Sequence, residues 1–397
     1  MNNFLGFTED VLTKGGAVNT AREIAQQPSV FRKLPALIDA QRAAASAFLT
    51  KVTGTQGYDI IMTGAGSSEF IGNALLPVLY PFHKNGQIRS IGTTSLLTTP
   101  DMYFDQPDRP TLLVSFARSG NSPESVGVVE LADKVLKNVY HLMITCNSEG
   151  ALAKRANKEN VFCLLLPPET NDLGFAMTSS VTGMYLSALA LLSGMCKDKF
   201  AAQVELAAQA AEQFITGFDA DMLTLCKHGF DRVVYLGADN CKGTSQESAL
   251  KLLELTNGAT PTLFDTPMGF RHGPKSFVTD NTLVVVFLSA DAYTRQYEID
   301  ILKELYHGPR ACTVAAVSYT DTLASEYAPF CHYAFAAKGA DGETLEQAFF
   351  SALYVIFGQI ISFGVSFCGG RTTDTPIPDG AATRVVSGVT VYPYTKA

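Results

Sequence analysis

Four landmarks recur along this chain at a nearly constant spacing, and no other feature limits its fold so tightly. "DIIMTGAGSSEF" at Asp59 returns as "DRVVYLGADNCKG" at Asp231, an offset of 231 − 59 = 172 residues. "TLLVSFARSGNS" at Thr111 returns as "TLVVVFLSADAY" at Thr282, an offset of 171. "VYHLMITCNSEGALAKRA" at Val139 pairs with "CTVAAVSYTDTLASEYA" at Cys312, offset 173, and apolar stretches at 181 and 352 follow at 171. One fold is used twice. In the first copy, short apolar runs at about 59–64, 88–93, 111–116, 139–145 and 161–166 alternate with helix-like stretches. Runs that are apolar on both faces suit a parallel sheet covered by helices. The expectation is therefore α/β: two tandem subdomains, each a flavodoxin-like, doubly wound parallel sheet flanked by helices.

A length of 397 residues agrees with about two domains. The boundaries read as an N-terminal helical segment 1–45, domains 46–215 and 216–368, and a tail 369–397. The formal charge of −8 offers no basic stripe for nucleic acid, so no nucleic-acid partner is expected. A small phosphorylated ligand needs only one local loop and stays open. The eight cysteines form no CxxC pair and mostly sit among apolar residues, as reduced core thiols do. The N-terminus carries acids and no long apolar core, so it does not read as a signal peptide. The apolar stretches 181–195 and 352–367 fall short of a span of about 20 residues. They read as buried helices of a cytoplasmic protein with no membrane partner.

In doubly wound sheets ligands bind beyond the carboxyl ends of the strands, where loops meet helix N-termini. The first tip, "TGAGSS", offers Gly66 for close backbone approach and hydroxyls at Ser67 and Ser68. A dinucleotide GxGxxG would need glycine where Glu69 stands, and a Walker lysine is missing. A plain strand-to-helix turn is the bland alternative. The second tip runs Arg118-Ser119-Gly120-Asn121-Ser122. Its two hydroxyls, the helix amides behind them and one guanidinium suit a phosphate monoester. Helix capping by Ser119 or Ser122 would need the same residues, and no GxSxG elbow points to serine catalysis. A third hydroxyl cluster, Thr178-Ser179-Ser180, precedes the first buried apolar helix and could cap it or reach a ligand.

The second copy loses these hydroxyls, reading "LSADAYTRQ" where the first reads "FARSGNSPE", so one active site per pair of copies is expected. It offers "ESALKLLELT" instead, which places Glu247, Lys251 and Glu254 at i, i+4 and i+7 on one helix face. A solvated Glu–Lys stripe has the same spacing. His272 is the one histidine of six set in a polar Gly/Pro loop, where an exposed imidazole without a role would also fit. A carboxylate and a histidine together can move protons on a sugar.

The repeat, the hydroxyl tips and the pairing of "ESALKLLELT" with "GFRHGPKS" resemble the sugar isomerase (SIS) family over nearly the whole chain. Within it, "MTGAGSSEFIG", "SFARSGNSPESV", "GFAMTSS" and "DTPIPDGAATRVVSGV" resemble the AgaS-type proteins. These comprise galactosamine-6-phosphate deaminases and tagatose-6-phosphate ketose/aldose isomerases. "REIAQQP" at Arg22 is similar to the segment preceding the isomerase half of glucosamine-6-phosphate synthase. The resemblance implies that Ser119 and Ser122, with Arg118, Gly120, Asn121 and nearby amides, hold the phosphate. The synthase has Ser-Gln-Ser-Gly-Glu-Thr there, so this chain loses one hydroxyl and gains a cation. Gly66, Ser67 and Ser68 match a sugar- or phosphate-contacting turn, and Thr178 and Ser179 match the third segment without its lysine.

By the same resemblance Glu254 moves a proton between C1 and C2, with Glu247 and Lys251 on its helix face. His272 opens the sugar ring and in relatives reaches across from the other subunit, implying a homodimer. The tail, which closes over the site, offers Arg384 or Ser387 where the synthase has a catalytic lysine; an arginine forms imines poorly. The implied reaction turns an amino aldehyde into a ketose imine, which water hydrolyses to ketose 6-phosphate and ammonia. No metal and no cofactor is expected. The roughly 50 residues before the first strand hold no glutaminase domain as an ammonia source, so deamination of galactosamine 6-phosphate to tagatose 6-phosphate is the expected direction. A plain aldose–ketose isomerase would use the same residues. A non-catalytic sugar-phosphate sensor is the other alternative.

Overall fold

A computed structural model describes residues 3–338, 344–386 and 388–395. Ser387 lies outside them. In chain order the elements that position the site are α1 (Val18–Ala25), β1 (Asp59–Thr63), α2 (Ser67–Leu79), β2 (Gln87–Ser90), β3 (Thr111–Ala117), α3 (Pro123–Val135), β4 (Val139–Thr145), β5 (Val161–Leu165) and α4 (Ser179–Leu192). The second series is β6 (Arg232–Gly237), α5 (Asn240–Leu255), β7 (Thr262–Asp265), β8 (Thr282–Phe287), α6 (Ala292–Tyr306), β9 (Thr313–Ser318), β10 (Tyr333–Ala336) and α7 (Gln347–Cys368).

The strands form two five-stranded sheets, ordered β2-β1-β3-β4-β5 and β7-β6-β8-β9-β10, and every pairing is parallel. Numbered within each copy, both sheets run 2-1-3-4-5, the flavodoxin-like order. The central strands β1, β3 and β8 are buried at every residue, as their unbroken apolar runs required. The chain divides into two compact units, neither continuous in sequence. The first-sheet unit holds 33–171, 179–200 and 380–397; the second-sheet unit holds 1–32, 172–178 and 201–379. In the first, Ile61, Leu113 and Met143 pack on Val128 and Leu131 of α3. In the second, Val234, Val284 and Val314 pack on Ile301 and Leu302 of α6.

The repeat reaches down to single backbone angles. Gly66 precedes α2 at φ 56°, ψ −128°, and Asp239 precedes α5 at φ 52°, ψ −129°. Both follow a glycine at the strand tip, Gly64 or Gly237, an offset of 237 − 64 = 173. A Cβ on Gly64 would lie 2.4 Å from the Ser68 carbonyl carbon, and one on Gly237 2.5 Å from the Cys241 carbonyl oxygen. Helix and strand meet so closely that only glycine fits. Asp239 holds a conformation that L-residues rarely adopt.

The apolar stretch 352–367 was expected to be too short to cross a membrane, and here the structure corrects the reading. Polar Gln347 and the residues after it extend the helix, so α7 has 22 residues and is long and apolar enough by length and composition. Within the unit 94% of its apolar window is buried. Gly358 lets α5 come in so near that a Cβ there would stand 2.1 Å from Ser248 Oγ.

Candidate active site

In the first-sheet unit the hydroxyl-rich tips sit at the carboxyl ends of β1 and β3. Ser67 and Ser68 open α2 and are both buried. Gly120 turns the β3 loop at φ +64°, and a Cβ there would stand 3.3 Å from Thr145 Oγ1. The loop is braced from outside. Asn147 Nδ2 donates to Ser119 O (3.0 Å), Leu152 N to Gly120 O (3.1 Å), and Ala151 N to Asn121 Oδ1 (2.9 Å). Ser122 occupies the N-cap of α3, yet its side chain does not cap the helix. Its hydroxyl instead lies 2.7 Å from Ser125 Oγ. Pro123 follows with no N–H to satisfy, so the 13-residue helix presents a fixed N-terminus suited to an anion.

Arg118 is buried, and its Nη2 donates to the Arg384 carbonyl (2.7 Å). Arg384 Nη2 in turn donates to Asn171 O (3.4 Å) and Oδ1 (3.3 Å). The expected phosphate cation is therefore also a brace for the tail. Further along, Val391 packs over Gly127, and Lys134 Nζ donates to Tyr394 O (2.6 Å).

Three further hydroxyls lie on β1, β3 and β4. Thr63, Ser115 and Thr145 are buried, and their oxygens have no protein partner. Thr63 pairs with Ser115, and Ala117 with Thr145, so the parallel register turns all three to one face of the sheet. The one signal for them was position, since Thr63 and Thr145 end their strands.

In the second-sheet unit the triplet on α5 is not the solvated stripe its spacing allowed. Glu247 and Lys251 are each 1% exposed. Lys251 Nζ lies 2.5 Å from Glu254 Oε2 and 3.4 Å from Glu247 Oε1. Glu254 keeps a quarter of its side chain in solvent. A buried ammonium thus holds one buried and one accessible carboxylate, and the accessible one is free to meet a ligand. His272 lies exposed in its loop, at the rim of a cavity of about 310 Å³ that Lys275, Glu304 and Arg310 also line. Among the described residues no hydrogen bond or ion pair links His272 to Glu254. Thr178 belongs to this unit and Ser179 to the other. Thr178 N donates to Asp172 (2.8 Å), while its own hydroxyl is buried with no partner.

The second copy's β8 tip is filled from within. Ser289 donates to Glu298 through both its amide (2.7 Å) and its hydroxyl (2.5 Å), and Ala290 N donates to Gln347 Oε1 (2.7 Å). Burial first of all pushes the Glu298 carboxyl up to about 7. The donors that an anion would need are occupied by the chain's own acceptors. Among the described residues, no cluster of three or more His, Cys, Asp or Glu is placed to hold a metal ion. Seven of the eight free cysteines are buried or half-buried, and Cys196 is exposed.

No family model matches the chain. It is 41% identical over 377 residues to the D-galactosamine-6-phosphate deaminase AgaS of Escherichia coli, spanning 94% of this chain and 96% of that one. A crystal structure from Clostridium novyi NT superposes with a TM-score of 0.95 at 40% identity, over 99% of this chain and 100% of that one. The tagatose-6-phosphate ketose/aldose isomerase of Escherichia coli superposes at 0.84 and 36% identity, over 95% and 97% of the two chains.

Proposed function

The chain belongs to the AgaS family of D-galactosamine-6-phosphate deaminases, and from that membership we propose how its residues carry out the reaction. The protein is an isomerising deaminase that converts galactosamine 6-phosphate to tagatose 6-phosphate and ammonia. The observation that supports the assignment of residues best is the clamp on α5, where buried Lys251 holds the accessible carboxylate of Glu254.

Ser119, Ser122 and the N-terminus of α3 take the phosphate, with Gly66, Ser67, Ser68, Gly120, Asn121, Thr178 and Ser179 completing the sugar-phosphate contacts. Arg118 adds charge and ties the loop to the tail through Arg384. This grip lies far from the reacting carbons and supplies orientation and binding energy. His272 opens the pyranose by moving a proton between the ring oxygen and the anomeric hydroxyl, leaving the free C1 aldehyde. Glu254 then removes the C2 proton, giving an enaminol, and returns a proton to C1. C1 is reduced to the alcohol as C2 is oxidised to the imine, so no external electron carrier enters. Water adds to C2 and ammonia leaves, yielding the ketose. Lys251 and Glu247 set the position of Glu254.

We place the enzyme in the cytoplasm as a homodimer. Its reduced, largely buried cysteines favour that compartment, and the exposed, unengaged His272 favours a role in a partner's site. The test is ammonia release with galactosamine 6-phosphate, glucosamine 6-phosphate and their N-acetyl forms side by side. Ammonia from the galacto compound, abolished in Glu254→Gln, is the expected result. Ammonia that persists in Glu254→Gln would overturn the assignment of the base.

A further inference from the structure

The segment Asp172–Thr178 has no regular secondary structure, although four of its seven residues are buried in the second-sheet unit. Buried irregular backbone needs partners for its polar groups, and one side chain takes two successive amides of this segment. Glu23 of α1, itself 5% exposed, accepts Leu173 N at 2.5 Å and Gly174 N at 3.2 Å through Oε1. Gly174 fits so tightly that a Cβ would lie 2.9 Å from Glu23 Oε2. Beyond that pin, Thr178 is held on both sides. Asp172 takes its N–H, and Gln359 Nε2 donates to its carbonyl (3.3 Å), while Gln27 Nε2 donates to Gln359 Oε1 (2.7 Å). Only the Thr178 hydroxyl is left without a partner.

Glu23 is in turn set by the start of α1. The residue at its N-cap, Ala17, has no capping side chain. Asp374 serves from far along the chain, accepting Asn19 N (3.0 Å), Thr20 N (2.8 Å) and Thr20 Oγ1 (2.8 Å). We propose that Glu23 is a positioning residue: by holding the amides of Leu173 and Gly174 it fixes the segment that delivers the Thr178 hydroxyl to the sugar phosphate. The proposal rests on the reading of Thr178 given above.

The pin is sensitive to pH. Burial, then repulsion from Asp172 and more weakly from Asp374, raises the Glu23 carboxyl to about 7, against the pull of the two amides. The cations nearest in sequence are engaged elsewhere. Arg22 turns to Glu9, Lys14 turns to Asp10, and α7 carries no charged residue. A carboxyl raised above its ordinary value favours the folded arrangement fully below that value and loses the advantage as pH rises through about 7. The segment is therefore held best in mild acid and loosens in mild alkali.

The test combines hydrogen exchange of residues 172–178, corrected for intrinsic rate, with ammonia-release kinetics from pH 6 to 8. It compares the full-length protein with Glu23→Gln and Glu23→Ala. Wild type should lose protection as pH rises. Glu23→Gln, whose amide oxygen can take both N–H groups, should keep protection and flatten the pH dependence. Glu23→Ala should lose protection at every pH and raise KM about tenfold with a smaller change in kcat, the equivalent of one lost charged hydrogen bond. Adding Thr178→Ala to Glu23→Ala should raise KM no further. Wild-type protection and KM in Glu23→Ala, or an unchanged pH dependence in Glu23→Gln, would overturn the proposal. Should wild type release no ammonia, the functional reading fails, while the exchange data still decide whether Glu23 holds the segment.

Discussion

Lys251 Nζ stands 2.5 Å from Glu254 Oε2 in a position where the lysine is 1% exposed and the glutamate's side chain 25% exposed. That gradient separates two roles on one helix face. The buried ammonium is a fixed counter-charge, and the half-open carboxylate can meet a substrate. Glu254→Gln keeps the volume and loses the base, so turnover should fall by roughly 10² to 10⁴ while sugar-phosphate binding stays near wild type. Parallel calorimetric binding and rate measurements decide it, and equal losses in both would remove Glu254 from the chemistry.

Lys251→Met should behave differently. It strips the Lys251 counter-charge from Glu247, which is also 1% exposed. Breaking a buried pair from one side costs about 3–5 kcal/mol. Thermal unfolding should register this loss, and the double variant Lys251→Met/Glu247→Leu should recover most of it. No recovery would mean that the two charges are not a pair.

Much of this architecture is legible in the amino-acid sequence. The buried strands announce themselves because a two-sided parallel sheet leaves no polar face, and the 172-residue echo fixes that there are two such sheets. The hydroxyl loops were legible for a related reason, since polar residues at the tip of an apolar strand have few other uses. Burial on α5 was not. Glu247, Lys251 and Glu254 have the spacing of a solvated stripe, and spacing alone does not tell an exposed helix face from one that the tertiary fold buries, as it buries Glu247 and Lys251. Glu23 was out of reach as well, because its partners lie 150 residues away. Glu298 looks like any second-turn glutamate until its carboxylate is seen folded back on Ser289.

Glu298 carries a pH prediction of its own. Burial raises its carboxyl to about 7 from an ordinary value of 4.5. The sign follows from linkage: the folded state is favoured by the protonated form, fully so below the ordinary value, and the benefit fades as pH rises through about 7. The difference is on the order of 3 kcal/mol between mild acid and mild alkali. Glu298→Gln mimics the protonated group and should flatten the dependence of the unfolding midpoint on pH between 5 and 8. A variant as pH-sensitive as wild type in that window would show that other groups set the slope.

The loop proposed to hold the phosphate predicts a loss mainly in binding. Gly120→Ala places a Cβ at φ +64°, where L-residues are strained, and 3.3 Å from Thr145 Oγ1. Such strain costs about 1–3 kcal/mol, and the bracing from Leu152 and Asn147 prevents the loop from relaxing freely. KM for the sugar phosphate should rise by roughly one to two orders of magnitude with kcat less affected. Inorganic phosphate should lose potency as a competitor in proportion. Unchanged inhibition by phosphate would place the anion elsewhere.

The twin turns supply a pair of opposite expectations from one geometry. Gly66 and Asp239 share φ and ψ to within a few degrees, yet only one of them is glycine. Asp239→Gly removes a strain of about 1–3 kcal/mol, against roughly 0.5–1 kcal/mol of added unfolded-chain entropy. The net is a modest gain, visible as a higher unfolding midpoint. Gly66→Ala runs the exchange backwards in the first copy and should lose stability by a comparable amount, with weaker substrate binding because the turn carries Ser67 and Ser68. The Asp239 side chain makes no capping hydrogen bond, but the Asn240 amide draws on its carboxylate, and losing that contact subtracts from the relief. Unfolding midpoints of the two variants, measured against wild type at one pH, should therefore move in opposite directions. Movement of both in the same direction would mean that the aspartate is retained for an interaction stronger than its backbone strain.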